Sequence, residues 1–247
     1  IIILGTSSPD RNYPSDACSV QAAIGAVNAV AFDISAACAG FIFAMNIVEG
    51  FFKAGIYKTA LIIGAETLSK VTDWSDRGTC VLFGDGAGAA VLKAEETGII
   101  DMMMGADGTK GDVLACTSRT VGNFLTGTKP ELGFMTMDGQ EVFKFAVRKV
   151  PESVMELLQR TGTKKEDIKY YVLHQANERI IEAAARRLKE PMEKFPMTIS
   201  QFGNTSTASI PLLLDDMIRK DMLKKGDKII MSGFGAGMTW GAVLMEW

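Results

Sequence analysis

Residues 30–52 read VAFDISAACAGFIFAMNIVEGFF, a run that changes from strand-like to helix-like within a few positions. A short β-rich segment ends at Ile34, a turn of small residues carries Cys38, and an almost unbroken apolar stretch follows. β-branched and aromatic residues suit a strand, and the apolar stretch after the small-residue turn suits a helix. Residues 196–218, PMTISQFGNTSTASIPLLLDDMI, repeat that order of strand, small-residue turn and apolar helix around Asn204. IIILGTSS at residues 1–8 is echoed by YYVLHQAN at residues 170–177, again ahead of a helical pattern. Two related halves, each bringing strand–turn–helix junctions to a shared centre, would account for both echoes.

Outward from these junctions, apolar runs alternate with helical patterns throughout, as in an α/β protein whose sheets are covered on both faces. Strands are expected over residues 1–4, 30–34, 59–63, 88–92, 170–173, 197–199, 228–231 and 241–245. Helices are expected over residues 16–25, 39–54, 140–161, 177–188 and 210–219, with a short turn near Leu68. The stretch 118–137 is rich in Thr and Gly, carries Pro130, and is expected to be a long loop between halves at 1–117 and 118–247. The chain opens inside an apolar run at Ile1, which suggests a fragment lacking the upstream part of the first half.

Composition excludes several classes of function. Lys and Arg number 26 against 29 Asp and Glu, a net charge of −3, which argues against nucleic acid as the main partner. No apolar run is long enough to span a bilayer, so no membrane role is expected. Cys18, Cys38, Cys80 and Cys116 show no CxxC spacing, which favours reduced thiols in a cytoplasmic protein. A single histidine and scattered cysteines argue against a metal site.

Three residues at the junctions could carry chemistry. Cys38 stands where a helix begins, so the helix dipole is expected to lower its pKa and favour the nucleophilic thiolate; a plain buried core cysteine is the bland alternative. His174, the lone histidine, ends a strand, where catalytic groups collect in α/β sheets, although a structural histidine has the same appearance. Asn204 lies in Gly-Asn-Thr-Ser ahead of a helix, either as a functional amide or as a turn former. The glycine run 233–237 is either a hairpin between two final strands or an oxyanion-binding loop. GDGAGAAVL at residues 84–92 lacks the Lys-Ser/Thr of a phosphate loop and is taken as tight structural packing.

With these segments in place, the chain resembles the β-ketoacyl-acyl-carrier-protein synthase III family, initiating condensing enzymes of fatty acid synthesis in the thiolase superfamily. The matching runs are AFDISAACAGF, DRGT, FGDGAGAAVL, EVFKFAV, HQANERII, GNTSTASIP and FGAGMTWGA, in order along nearly the whole chain. The resemblance implies a thiolase-like five-layer αβαβα fold of two similar halves. It implies an acyltransferase that condenses an acyl-CoA primer with malonyl-acyl carrier protein and needs no metal or redox cofactor. Cys38 would be the acylated nucleophile, and His174 with Asn204 would bind the malonyl thioester carbonyl during decarboxylation. Backbone N–H groups of Cys38 and of the Gly235–Ala236 region would hold the second oxyanion. Elongating synthases use a second histidine, which this chain lacks. Thiolases use a second cysteine, and none lies in the last glycine-rich segment.

Other positions follow from the same resemblance. Arg77 would lie near the CoA adenine, Asn177 near the pantetheine arm, and Phe143 among the substrate contacts. Leu82, Phe83 and Met137 would line the acyl region, and Tyr13 would cross a homodimer interface to limit the partner's acyl pocket. Lys144, Arg179, Arg186 and Arg187 would form the patch for the acidic carrier protein. Asp138 and Gln140 depart from the family's usual Ala and Asn, so contacts to the pantetheine there would differ. Two other readings remain: an acyltransferase of a secondary-metabolite pathway, or a truncated subunit without catalysis.

Overall fold

The helix that follows Cys38 is largely apolar because it lies between two sheets. The structure, a computed structural model, describes all of residues 1–247. In chain order its elements begin with β1 (Ile2–Gly5), α1 (Asp16–Ala23), β2 (Ala31–Ile34), α2 (Gly40–Lys53), β3 (Thr59–Glu66), β4 (Gly86–Lys93) and β5 (Ile99–Ala106). They continue with β6 (Leu114–Cys116), β7 (Met135–Met137), α3 (Gly139–Thr161), β8 (Ile168–Leu173) and α4 (Glu178–Leu188). The last are α5 (Ile199–Phe202), α6 (Ser209–Arg219), β9 (Lys228–Gly235) and β10 (Thr239–Glu246).

Two four-stranded sheets form, in the orders β2-β1-β3-β4 and β5-β10-β9-β8. In the first, β1 runs parallel to β3 and β3 antiparallel to β4; in the second, β8 runs parallel to β9 and β9 antiparallel to β10. Three strands of each sheet therefore share one pairing scheme, and the fourth differs: β2 adds parallel to β1, and β5 adds antiparallel to β10. α2 and α6 lie between the sheets, where Phe41, Ile42, Met45, Ile210, Leu213 and Met217 join residues of both sheets in one apolar cluster. α1 covers the outside of the first sheet, and α3 with α4 cover the outside of the second. Five layers, α/β/α/β/α, result. No helix is long and apolar enough to cross a membrane.

The small residues of the GDGAG run are there for packing. A Cβ on Gly84 would stand 2.1 Å from Phe202 O, one on Gly86 2.9 Å from Leu212 Cδ1, and one on Gly88 2.9 Å from Pro211 Cβ. Alternate residues of a strand share a face, so this row of glycines lets α6 and the loop ahead of it settle directly on β4.

Some expectations need correction. No strand forms over residues 197–199: the Thr198 N–H goes to Gln175 Oε1 at 2.9 Å rather than to a neighbouring strand, and the chain turns into α5. β5 was not anticipated, because its Asp and run of Met weaken the strand pattern, yet it pairs with β10 along its length. The second sheet thus takes a strand from ahead of residue 118. Within the expected loop, β7 pairs with β6, so the stretch without strands shortens to residues 117–134.

Candidate active site

Cys38 lies in a single 3₁₀ turn, Ala37–Ala39, squeezed between β2 and α2. Ala37 has φ of 45°, a left-handed conformation that is strained for any residue with a side chain. Hydroxyls hold the strained turn from both sides: Thr207 Oγ1 donates to Ala37 O at 2.7 Å, and Thr239 Oγ1 donates to Ala36 O at 3.1 Å. Gly235 presses on the same turn, where an added Cβ would stand 2.5 Å from Cys38 N. Cys38 is only 7% exposed. Burial pushes its pKa up to about 12, with nearby Glu66 adding to the rise and the Ser206 hydroxyl and the Cys38 N–H opposing it. This corrects the expectation of a lowered pKa: loss of water around the sulfur outweighs the helix end.

His174 follows β8 directly and extends its ladder, its N–H donating to Ser232 O at 2.8 Å. The ring is buried, meets the ring of Phe234 edge-on at 5.5 Å between centroids, and sets Nδ1 2.6 Å from Ser209 Oγ. Burial drops its pKa to about 3, so the imidazole is neutral at physiological pH.

Asn204 is held by its backbone, whose N–H donates to Leu82 O at 2.9 Å and whose O accepts from Gly84 N at 3.0 Å. Its Oδ1 accepts the Ser206 N–H at 2.9 Å. The Asn204 amide nitrogen is left as the free donor.

These three side chains, from three segments far apart in sequence, line one cavity of about 130 Å³. Leu82, Phe83, Met137, Phe143, Asn177 and Gly235 line it as well. A second, mostly apolar cavity of about 410 Å³ also reaches Cys38, bounded by Leu68, Val71, Leu114, Met135 and Ala236. Phe83 borders both cavities, while Leu82 and Met137 border only the smaller. The neutral imidazole and the Asn204 amide can offer hydrogen bonds to an oxygen carrying developing charge, next to a buried thiol. Such an arrangement suits acyl transfer through a thioester.

Other expected residues lie apart from these cavities. Tyr13 is 85% exposed and lines neither. Arg77 is exposed too, although its neighbours Asp76, Gly78 and Thr79 border an open polar cleft together with Asp138 and Gln140. Among the expected carrier-protein residues, Lys144 pairs with Glu141 at 2.8 Å and Arg186 with Glu182 at 3.5 Å. Arg187 donates to Val147 O on α3 at 3.1 Å, and Arg179 is exposed at the start of α4.

Sequence reasoning missed a buried carboxylate. Glu66, 4% exposed, is surrounded by the hydroxyls of Thr6, Ser8, Ser206 and Thr207 and by the Ser7 N–H, all within 3.4 Å. It also missed Ser206, Thr207 and Ser209. The signal was present in the run NTSTAS, too rich in hydroxyls for the start of a core helix.

Comparison with known proteins gives this geometry a family. The sequence pattern of the family 3-oxoacyl-[acyl-carrier-protein (ACP)] synthase III matches residues 32–108, and that of its C-terminal part matches residues 158–247. The β-ketoacyl-[acyl-carrier-protein] synthase III of Clostridium acetobutylicum is 51% identical over 249 residues, covering 100% of this chain and 77% of that protein. The chain belongs to the β-ketoacyl-[acyl-carrier-protein] synthase III family. As a member it is a condensing acyltransferase of fatty acid synthesis. The synthase III of Clostridium novyi is 53% identical over 249 residues, with the same coverage of 100% and 77%. The crystal structure of the synthase III from Aquifex aeolicus superposes with a TM-score of 0.91 at 45% identity, covering 100% of this chain and 76% of that one. The thiolase-like layering of this synthase III chain is therefore that of solved relatives.

Proposed function

We propose that the protein starts fatty acid chains by condensing an acyl-CoA primer with malonyl-acyl carrier protein through an acyl-Cys38 intermediate. The Cys38 sulfur attacks the primer's thioester carbonyl, its bond to carbon forms as the bond to the CoA sulfur breaks, and the thiol proton ends on CoA. The malonyl thioester then loses CO2, and its electron pair becomes an enolate. The enolate oxygen accepts hydrogen bonds from His174 and the Asn204 amide, both neutral donors in a site that excludes water. The enolate carbon attacks the acyl-Cys38 carbonyl, Cys38 leaves as thiolate, and a proton from solvent restores the thiol. N–H groups of Cys38 and the Gly235–Ala236 turn hold the oxyanion of that step.

The observation that carries this reading is the meeting of Cys38, His174 and Asn204 in one cavity, with a larger, mostly apolar cavity also reaching Cys38 to take the primer's chain. Asn177 and Phe143 border the smaller cavity and would flank the pantetheine arm, with Arg77 further out toward the adenine. Lys144, Arg179, Arg186 and Arg187 sit at the α3–α4 side and would receive the acidic carrier protein. In a homodimer Tyr13, exposed here, would reach the partner's primer pocket.

Intact mass after incubation with acetyl-CoA and with longer and branched acyl-CoAs tests the proposal. One acyl group should appear on the wild type and none on Cys38→Ala. A wild type that takes up no acyl group from any donor, or a Cys38→Ala protein that takes up as much, would sink it.

A further inference from the structure

A neutral imidazole donates through one nitrogen only, so the tautomer of His174 decides whether the ring can serve an oxygen in the cavity. Three observations on Ser209, the first residue of α6, settle where its hydrogens go. Its Oγ lies 2.6 Å from His174 Nδ1. The Gln175 N–H donates to the same Oγ at 3.3 Å. The residue is buried, and its hydroxyl has no acceptor other than the imidazole. Were Nδ1 to carry the hydrogen, Oγ would accept two N–H groups and the hydroxyl hydrogen would be stranded, at about 1–3 kcal/mol. With the hydroxyl donating to Nδ1, every hydrogen has a partner.

We infer that Ser209 is a positioning residue that locks His174 in its Nε2–H form, making Nε2 the donor turned to the substrate. The Phe234 ring against the imidazole keeps it from turning away. Asn204 is set from the same segment, since the Ser206 N–H takes its Oδ1 and leaves the amide nitrogen to donate. One hydroxyl-rich stretch, residues 204–209, thus fixes the sense of both hydrogen bonds. The inference rests on the proposed role of His174 as donor to the enolate oxygen.

The chain has one histidine, so ¹⁵N-labelled protein gives a single imidazole spin system with nothing to assign. In the wild type the protonated nitrogen should couple to both ring carbon-bound hydrogens, as Nε2 does, and Nδ1 should appear unprotonated. Ser209→Ala should give a mixture of tautomers and lower condensation on the order of 10²-fold, with acylation of Cys38 by acyl-CoA unchanged. Ser209→Thr keeps the hydroxyl and should keep both the Nε2–H form and the rate. A wild-type ring protonated at Nδ1, or a Ser209→Ala ring still wholly protonated at Nε2, overturns the inference. The spectra need no substrate. A wild type that shows Nε2–H yet forms no β-ketoacyl product would defeat the condensing reading and leave the tautomer lock standing.

Discussion

At the scale of the residue, Cys38 faces two opposed demands, since an acyl acceptor must react and yet a buried sulfur resists charge. With its pKa pushed up to about 12 by burial, the resting thiol holds almost no thiolate at neutral pH. Its alkylation by iodoacetamide should therefore climb steadily from about pH 6 to about pH 9, with no plateau. Peptide mapping is needed to follow it, because Cys18 and Cys116 are exposed and will also react. A rate that levels off near neutrality would show a preformed thiolate and overturn this account of the site. Cys38 and its turn could be picked out from SAAC at the start of an apolar helix. The sign of its pKa shift could not, because burial depends on Phe83, Ser206 and Gly235, which reach it only through tertiary packing.

At the scale of elements, the two halves are keyed together by Thr207. Its Cγ2 would lie 2.7 Å from a Cβ on Gly5 at the end of β1 and 2.9 Å from one on Gly40 at the start of α2, and its backbone O 2.4 Å from one on Gly64 in β3. Three bare backbones of the first half thus form a socket for a residue three positions past Asn204. Gly5→Ala should overpack that socket and cost roughly 1–3 kcal/mol. Thr207→Ser removes the clashing methyl and keeps the hydroxyl, so the double variant should be less destabilised than the sum of the singles. Urea denaturation of the four proteins measures that coupling, and simple additivity would remove the socket from the argument. The sequence announced the junctions on either side of this socket, around Cys38 and around Asn204, but not their contact. It misread residues 197–199 for a related reason: a buried Gln175 side chain, invisible to periodicity, captures the Thr198 N–H that a strand would have used.

At the scale of the whole molecule, the kinship of the two halves was legible as a faint echo, because each half repeats strand, turn and apolar helix to build one central layer. β5 was harder to see, since a methionine-rich edge strand lacks the pattern that marks an interior one. What the five layers do is sink the active site deep enough that its histidine is uncharged, which ties folding to pH. Burial lowers the pKa of His174 from the ordinary 6.5 to about 3. Between those values the unfolded chain binds a proton at this position and the native protein does not, so unfolding takes up a proton and stability falls as pH falls. The contribution is fully present above about pH 6.5 and on the order of a few kcal/mol, lost progressively toward about pH 3. Ordinary carboxylates titrate lower, so the first step down, from about pH 7 to about pH 5, belongs chiefly to this single histidine. Urea midpoints of the wild type should drop across that interval, and those of His174→Gln should drop less. A wild type equally stable at both pH values would mean that water reaches the imidazole, and with it that the site is less dry than the enolate requires.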